Sequence, residues 1–279
     1  MQLTKISLVT PSFNQGKFIS RTIEAVLNQR YCNFEYIIMD GASKDETVSI
    51  IEKHKDHLSY WESCADKGQS DAINRGFAKA SGDWLCWVNA DDVLFADALV
   101  KVADCSGRYP KVDIITANTV YIDETDHITR CIRTPKQNWS FLKYGVGVFT
   151  APAVFFKKKL FEKVGGLDIS LHYSMDIDLW HKFCLANAEV CHIDDYLGAF
   201  RMHTLSKTGT FRAGAKKAFE NPETTITRIR YLPRVNWRLI LLLRVLHKIY
   251  RMVRLDYLRG WIDLKKNNGK SWQEVFPVK

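Results

Sequence analysis

The sequence has no run of about 18 apolar residues, the length that a helix needs to cross a bilayer. Its first residues, Met1 to Lys5, also lack the basic and then apolar layout of a secretory signal peptide. No CxxC spacing occurs among the seven cysteines, and there are no internal repeats or low-complexity tracts. We therefore expect a cytoplasmic protein with reduced cysteines and without a structural zinc site.

Charge is unevenly distributed along the 279 residues, whose net charge is +9. From Arg201 onward there are 18 Lys or Arg and 5 Asp or Glu. Residues 1–200 contain 22 Lys or Arg and 26 Asp or Glu. A basic tail attracts nucleic acid, an anionic membrane surface or a phosphorylated substrate, and charge alone does not choose among these partners. An apolar content of 46% allows a full core in one large α/β domain, with or without a smaller appendage.

Short β-rich runs alternate with helical stretches through the first hundred residues. Strands are predicted at 6–10, 36–40, 58–62 and 83–88, and helices at 17–29, 45–55 and 70–80. This alternation predicts an α/β fold with a mixed, mainly parallel central sheet flanked by helices. The strands end in polar residues, and the carboxyl ends of parallel strands meet at one edge of a sheet, so we expect a single crevice there.

Residues Asn89-Ala90-Asp91-Asp92 directly follow the apolar run 83–88, which places two carboxylates where a buried strand is predicted to end. Hard carboxylate oxygens in such a crevice can hold Mg²⁺ or Mn²⁺ against a diphosphate. Taken alone, the two residues are better explained as caps of the next helix, because Asp is a favoured N-cap residue.

Five segments, in order along the chain, resemble a family-2 glycosyltransferase of the GT-A fold over roughly residues 5–205. They are Thr10 to Asn14, Asp40 to Asp45, Asp66 to Gly76, Asn89 to Asp92 and Ser174 to Trp180, and Arg201-Met202-His203 closes the series. Their order and spacing together are specific, whereas any one of them would be weak evidence. The resemblance implies an inverting, metal-dependent transferase of a hexosyl group from a nucleoside-diphosphate sugar, by family habit a UDP-sugar.

The resemblance also implies that Mn²⁺ or Mg²⁺ is held by Asp91 or Asp92, with His203 as a further ligand. The family's metal motif is often Asp-x-Asp, but Asn89 stands at its first position here, so the choice between the two aspartates stays open. Such an ion would neutralise the charge that develops on the leaving β-phosphate. A lone histidine is usually structural, and this alternative also stays open for His203.

Asp176 is the candidate catalytic base by the same resemblance. Inverting transfer needs a group that removes the proton of the acceptor hydroxyl during attack. The family often has Glu before this base, whereas Met175 stands there in this chain. The alternative is a carboxylate that only stabilises the start of a helix. Asp178, two residues further on, is assigned to structure or to acceptor contact.

Donor contacts are implied at the strand ends and at the start of the third helix. The candidate donor-binding residues are Thr10, Pro11, Ser12, Phe13, Asp40, Ser43, Asp66 and Asp71. Ordinary turn chemistry is the alternative for the strand ends, since Pro, Ser and Asp are common turn residues. Helix capping is the alternative for Asp71.

We predict a catalytic domain over residues 1–215, with a nucleotide-binding half to about 110 and an acceptor-binding half from about 111. A basic amphipathic helical extension follows over 216–279. Within it, 237–261 is predicted as one helix with Arg244, Lys248, Arg251 and Arg259 on one face and apolar residues on the other. Such a helix favours peripheral contact with an anionic membrane, here the inner face of the cytoplasmic membrane. Packing against the catalytic domain is the alternative.

The predicted function is transfer of one sugar to a hydroxyl of a glycan or glycolipid acceptor in surface polysaccharide or lipopolysaccharide biosynthesis. A sugar nucleotidyltransferase is one alternative, but it would usually show a Gly-rich phosphate loop with a basic residue, which Thr10 to Gly16 lacks. A non-catalytic basic adaptor for membrane or nucleic acid is another. It leaves the acidic segments of the first 200 residues unexplained, and we expect no nucleic-acid partner.

Overall fold

A computed structural model describes residues 4–134, 152–204, 206–207, 223, 230–231 and 237–277. The strands in these ranges are β1 (Ile6–Ser12), β2 (Phe34–Asp40), β3 (Tyr60–Ser63), β4 (Trp84–Trp87), β5 (Val93–Leu94), β6 (Ile114–Ile122), β7 (Ile128–Ile132), β8 (Val154–Lys157) and β9 (Val190–Arg201). The helices are α1 (Ile19–Leu27), α2 (Thr47–Lys53), α3 (Gln69–Lys79), α4 (Ala98–Arg108), α5 (Lys158–Lys163), α6 (Met175–Leu185), α7 (Trp237–Val253), α8 (Asp256–Asn267) and α9 (Trp272–Val275), and a short 3₁₀ helix spans Lys55–His57.

The strands form one sheet in the order β3-β2-β1-β4-β8-β6-β9-β5, with β7 paired to β6. Strands β3, β2, β1 and β4 are parallel to one another, while β8 runs antiparallel to both β4 and β6. In register, Ser12 lies beside Asp40, and Asp40 lies beside Ser63. The carboxyl ends of β1, β2 and β3 are therefore level, which confirms the predicted α/β sheet and its common edge.

Both faces of the sheet are covered, so β1 is buried along its whole length, as strands of parallel sheets usually are. Ile6 and Leu8 belong to the hydrophobic cluster on one face, and Val9 belongs to the cluster on the other. On the second face, Trp180 of α6 stacks on Trp87, the last residue of β4, with ring centroids 5.6 Å apart and planes 12° from parallel. This stack fixes α6 beside the strand that precedes Asp91.

The prediction of one continuous helix over 237–261 is wrong. The chain breaks between α7 and α8, where Leu255 adopts a left-handed conformation with φ of 59°. After the break α8 packs on the sheet: a Cβ on Gly260 would lie 3.0 Å from the carbonyl oxygen of Cys131, so a larger residue there would require a neighbour to shift.

The predicted basic face of the extension is also only partly correct. Arg251 donates to the carbonyl oxygen of Arg133 (2.9 Å), and Arg259 pairs with Asp194 (2.8 Å), so both side chains contact the sheet. Among the described residues, no helix is long enough and apolar enough to span a membrane. The domain boundary at residue 215 lies outside the described residues, and the division near residue 110 stays a prediction.

Candidate active site

Ser43 ties together the loops that follow β1 and β2. Its hydroxyl donates to Oδ1 of Asp40 (2.5 Å) and accepts from the amide of Asn14 (2.7 Å). Asp40 is buried and also accepts from the hydroxyl of Ser63 (2.6 Å). Asp40 and Ser43 therefore shape the floor of the crevice, and their predicted contact with a nucleotide stays a prediction.

Phe13, Gly41 and Asp66 meet at the mouth of the same crevice. A Cβ on Gly41 would lie 2.9 Å from Oδ2 of Asp66 and 3.3 Å from the ring of Phe13, so both side chains lie close over the Gly41 backbone. The Phe13 ring is 60% exposed. An exposed aromatic face beside a carboxylate is suited to stacking against a planar base and accepting a hydrogen bond from it.

The other predicted donor residues are less accessible. Thr10 is fully buried with its hydroxyl 2.9 Å from that of Tyr36, and Pro11 is buried beside it. Ser12 is buried too, and its hydroxyl has no hydrogen-bond partner among the described residues. Asp71 accepts from the amide of Lys67 (3.1 Å) in the first turn of α3. A capping role accounts for this contact of Asp71.

Asp91 and Asp92 differ in their surroundings. Asp92 is fully buried and accepts from the amide of Arg201 (2.9 Å) and from Nδ2 of Asn89 (2.8 Å). Burial, together with the charge of Asp91, raises the pKa of the Asp92 carboxyl well above its usual range. Asn89 in turn accepts from Nε2 of Gln69 (2.7 Å), which joins the turn to the start of α3. Both oxygens of the Asp92 carboxylate therefore accept hydrogen bonds that hold the turn together.

Asp91 faces the opposite way, towards His203. Its Oδ2 lies 2.9 Å from Nε2 of the imidazole, which is buried against the ring of Phe18 at a centroid distance of 4.6 Å. A cavity of about 430 Å³ opens beside this pair. Its lining residues are Asp123, Glu124, Thr125, Met202, His203 and Thr204.

The Asp91–His203 pair has the donor chemistry of a divalent metal site. A carboxylate and a neutral imidazole suit Mn²⁺, and Mg²⁺ is commonly held by one or two carboxylates together with substrate phosphates. Within the described ranges, no three His, Cys, Asp or Glu side chains lie close enough together to hold an ion. Nδ1 of His203 is buried and has no hydrogen-bond partner among the described residues. The residues present therefore fit a metal that shares its coordination sphere with a bound diphosphate.

Arg201 has a structural role that the sequence does not predict, although the residue belongs to the motif Arg201-Met202-His203. It is fully buried and donates through Nε to the carbonyl oxygen of Asp91 (2.9 Å) and through Nη1 to that of Asp123 (2.8 Å). Nη2 pairs with Asp126 (2.6 Å). The signal that could have found it is an arginine directly after an apolar run, because a buried guanidinium requires several acceptors.

Asp176 lies in the first turn of α6, as predicted, and its Oδ1 accepts from the amide of Ile177 (2.8 Å). No Lys, Arg or His pairs with it in the described part of the chain. Loss of hydration raises its pKa to about 6. The hydroxyl of Ser70, near the start of α3, lies 3.0 Å from Sδ of Met175 and so brings the starts of α3 and α6 together. Asp176 thus has the pKa of a general base for near-neutral conditions.

Asp178 has a different environment from Asp176, although only one residue separates them. It is fully buried and pairs with Lys182 (2.9 Å) and Arg230 (2.9 Å), and it accepts from the hydroxyl of Tyr231 (2.8 Å). A buried carboxylate with this many partners is structural.

Glu223 is a second residue whose role is not predicted by any motif in the sequence. Its carboxylate accepts from the consecutive amides of His172 (2.9 Å), Tyr173 (2.5 Å) and Ser174 (3.1 Å), just before α6. This contact anchors the loop that leads to Asp176.

A sequence profile described as Glycosyl transferase family 2 matches residues 7–165. A glycosyltransferase of Rickettsia prowazekii is 27% identical over 213 residues, which cover 74% of this chain and 66% of that protein. A PGL/p-HBAD biosynthesis glycosyltransferase of Mycobacterium bovis is 30% identical over 124 residues, covering 43% of this chain and 48% of that protein.

Two solved structures resemble the fold. Residues 1–349 of Staphylococcus aureus TarS in complex with UDP-GlcNAc give a TM-score of 0.60 at 16% identity, over 76% of this chain and 62% of that one. The mannosyltransferase PcManGT of Pyrobaculum calidifontis, in complex with GDP-Man and Mn²⁺, gives 0.56 at 18% identity, over 83% and 63%. The chain spans slightly under two thirds of the length of these structures and of the Rickettsia protein. The fold is that of the GT-A glycosyltransferases, as predicted.

Proposed function

The chain belongs to glycosyl transferase family 2, and we propose that it is an inverting transferase that moves a hexosyl group from a UDP-sugar to a hydroxyl of a glycan or glycolipid acceptor. The observation that carries this proposal is the contact between the Asp91 carboxylate and the His203 imidazole, just beyond the end of β4. The similarity to a structure solved with UDP-GlcNAc supports a UDP-sugar as the donor.

We assign the metal-binding role to Asp91 and His203, and a structural role to Asp92. The support is that Asp92 is fully buried and already accepts from Arg201 and Asn89, whereas Asp91 faces the cavity-lining His203. Mn²⁺ or Mg²⁺ held there would neutralise the β-phosphate as its bond to the sugar breaks. Mn²⁺ in the related mannosyltransferase structure supports this choice of ion.

Asp176 is assigned as the base. Its carboxylate takes the proton of the acceptor hydroxyl while that oxygen forms a bond to the anomeric carbon. The bond from this carbon to the diphosphate breaks on the opposite face, and its electron pair leaves with the β-phosphate oxygen, so the configuration inverts. A pKa of about 6, caused by burial, keeps most of the carboxylate ionised at neutral pH and still basic enough to accept the proton.

Donor residues are assigned in two groups. Phe13 and Asp66 contact the nucleoside directly, because they meet at the mouth of the crevice around Gly41. The second group is Asp40 and Ser43, which shape the floor of the crevice against which the nucleotide would lie. Beneath this floor Thr10, Pro11 and Ser12 are buried in β1, and Asp71 caps the start of α3.

We propose a lipid-linked acceptor, and a place for the protein on the inner face of the cytoplasmic membrane. The support is an exposed apolar surface on α7 and α8, on which Met252 is 63% and Val253 is 76% exposed. Lys248, also exposed, and Lys266 of α8 add positive charge to this surface. Apolar side chains flanked by Lys and by Trp261 suit the interface of an anionic bilayer. A glycan of surface polysaccharide or lipopolysaccharide would be built at that interface.

The experiment that tests the function measures release of UDP from a panel of UDP-sugars, with Mn²⁺ and with chelator, in the presence of a membrane lipid extract. We expect Mn²⁺-dependent release from one donor, a labelled lipid product, and an anomeric configuration in that product opposite to that of the donor, read by NMR. Retention of configuration would overturn the inverting assignment. Transfer of a nucleotidyl rather than a sugar group would favour the nucleotidyltransferase alternative.

A further inference from the structure

The last helix, α9, reaches the loop between β6 and β7 through Trp272. The indole is buried, and its Nε1 donates to Oδ1 of Asp126 (3.1 Å), while the Trp272 amide donates to the Asp126 carbonyl oxygen (3.0 Å). The ring also stacks near Phe95, at a centroid distance of 5.9 Å. Two hydrogen bonds to Asp126 and one ring contact with Phe95 therefore hold Trp272 in place.

Asp126 connects this helix to Arg201. Its backbone has φ of 71°, a left-handed conformation that is uncommon outside glycine and that Asp tolerates better than most residues. Its Oδ1 accepts from Nη2 of Arg201 (2.6 Å), and its Oδ2 accepts from Nε of Arg21 (2.9 Å). A buried carboxylate with partners on both oxygens has little freedom to move, so its position depends on all of these donors.

Arg201 connects Asp126 to the turn that holds Asp91 and Asp92. Its Nε bonds the carbonyl oxygen of Asp91, and its amide bonds Oδ1 of Asp92, at 2.9 Å each. His203 follows two residues after Arg201, just beyond the end of β9. The guanidinium thus sets the position of the Asp91 turn relative to His203.

We infer that Trp272, Asp126 and Arg201 are positioning residues for the Asp91–His203 pair, so that metal-dependent donor binding depends on the C-terminal extension. Metal sites require ligands placed to within about 0.5 Å, which makes them sensitive to supporting hydrogen bonds. This inference rests on the proposed function, because it assumes that Asp91 and His203 hold the metal.

The test removes the indole N–H that donates to Asp126. Trp272→Phe keeps an aromatic ring against Phe95 but cannot donate to Asp126. UDP binding to the full chain is measured by calorimetry with Mn²⁺ and with chelator, and the unfolding midpoint is measured in chelator. We expect Mn²⁺-dependent affinity to fall about 2- to 30-fold and binding in chelator to stay unchanged, while the midpoint falls because a buried hydrogen bond and part of a buried ring are lost. Tyr109→Phe, at a 49% exposed tyrosine directly after α4, is the control and should bind as the wild type does.

If Trp272→Phe gives no folded protein, 3-benzothienyl-alanine at position 272 replaces it, because this residue keeps the indole shape and lacks the N–H. Unchanged Mn²⁺-dependent affinity in the folded variant would overturn the inference and leave the proposed function intact. An equal loss with and without Mn²⁺ would also overturn it, since that pattern indicates packing alone. Absence of Mn²⁺-dependent UDP binding in the wild type would instead remove the proposed function itself.

Discussion

Nε2 of His203 lies 2.9 Å from Oδ2 of Asp91, although the two residues are 112 positions apart in the chain. The contact depends on β9, which pairs with β5 directly after the Asp91 turn and ends two residues before His203. The antiparallel pairing of β5 and β9 thus brings the Asp91 carboxylate and the His203 imidazole together.

Replacing either member of this pair should weaken Mn²⁺-dependent binding of the donor. We expect Asp91→Ala and His203→Ala each to raise the Kd for UDP in Mn²⁺ by at least about tenfold, because each removes a metal ligand. Binding in chelator should stay the same, as measured by calorimetry. His57→Ala, at an exposed histidine, is the matched control. Equal affinities in all four proteins would contradict the metal assignment.

Asp176→Asn should abolish transfer but not donor binding. General bases contribute about 10²- to 10⁴-fold to rate, so we expect kcat to fall by that factor while the Kd for UDP stays unchanged. The asparagine is close in size and cannot take a proton, which isolates the chemical step. A variant that transfers sugar at a wild-type rate would exclude Asp176 as the base.

The pH profile of the wild type tests the same residue independently. The base must be deprotonated to act, so kcat/KM should fall as pH falls through about 6, the value to which burial raises the pKa of Asp176. Steady-state rates between pH 5 and 8, with protein stability checked at each pH, measure this decrease in kcat/KM. A flat profile across this range would contradict the assignment.

Glu35 should stabilise the fold in a pH-dependent way. Burial alone would raise its pKa, but hydrogen bonds from Ser7 (2.5 Å) and from the amide and hydroxyl of Ser81 outweigh it and lower the pKa to about 2. A carboxyl whose pKa is lowered by folding stabilises the folded state at pH values above its ordinary pKa. This stabilisation is lost as the pH falls through the pKa that the carboxyl has in the folded state. The contribution is about 3 kcal/mol at pH 7.

Urea unfolding of the wild type and Glu35→Gln measures this contribution. We expect the two free energies of unfolding to differ by about 3 kcal/mol at pH 7 and by much less at pH 3. Glu52→Gln, at an exposed glutamate, is the control. A difference that does not depend on pH would show that ionisation of Glu35 is not the cause.

The exposed surface of α7 should bind anionic vesicles. Leu246→Glu combined with Met252→Glu places two charges among apolar side chains that are 44% and 63% exposed. We expect co-sedimentation with phosphatidylglycerol vesicles to weaken by at least about tenfold, because charged side chains do not enter the bilayer interface favourably. Leu185→Glu, at a 59% exposed leucine of α6, should bind as the wild type does. Equal vesicle binding by both variants would contradict membrane contact through α7.

The sequence predicted the elements whose signals are local. The strands that lead to Ser12, Asp40 and Asp91 show β-rich runs ended by polar residues, and the structure has them within a few residues of the predicted bounds. Asp176 is at the start of a helix for the same reason. Local patterns of this kind depend on hydrophobic period and capping, which a sequence displays directly.

Features that depend on tertiary packing could not be predicted. The break at Leu255 has no Gly or Pro to mark it in the sequence, and Gly260 of the helix that follows packs against β7. The difference between Asp91 and Asp92 depends on where β9 places Arg201, more than a hundred residues away. Trp272 gave no local signal either, since its importance comes from the loop that it meets.

The measurement that tests the central claim most directly is calorimetric titration of the full chain with a panel of nucleoside diphosphates and their sugars, in Mn²⁺ and in chelator. The Asp91–His203 site predicts that a uridine diphosphate sugar binds in Mn²⁺ and that chelator weakens this binding at least about tenfold. Binding of no nucleotide under either condition, or binding that Mn²⁺ does not change, would contradict metal-dependent sugar transfer at this site.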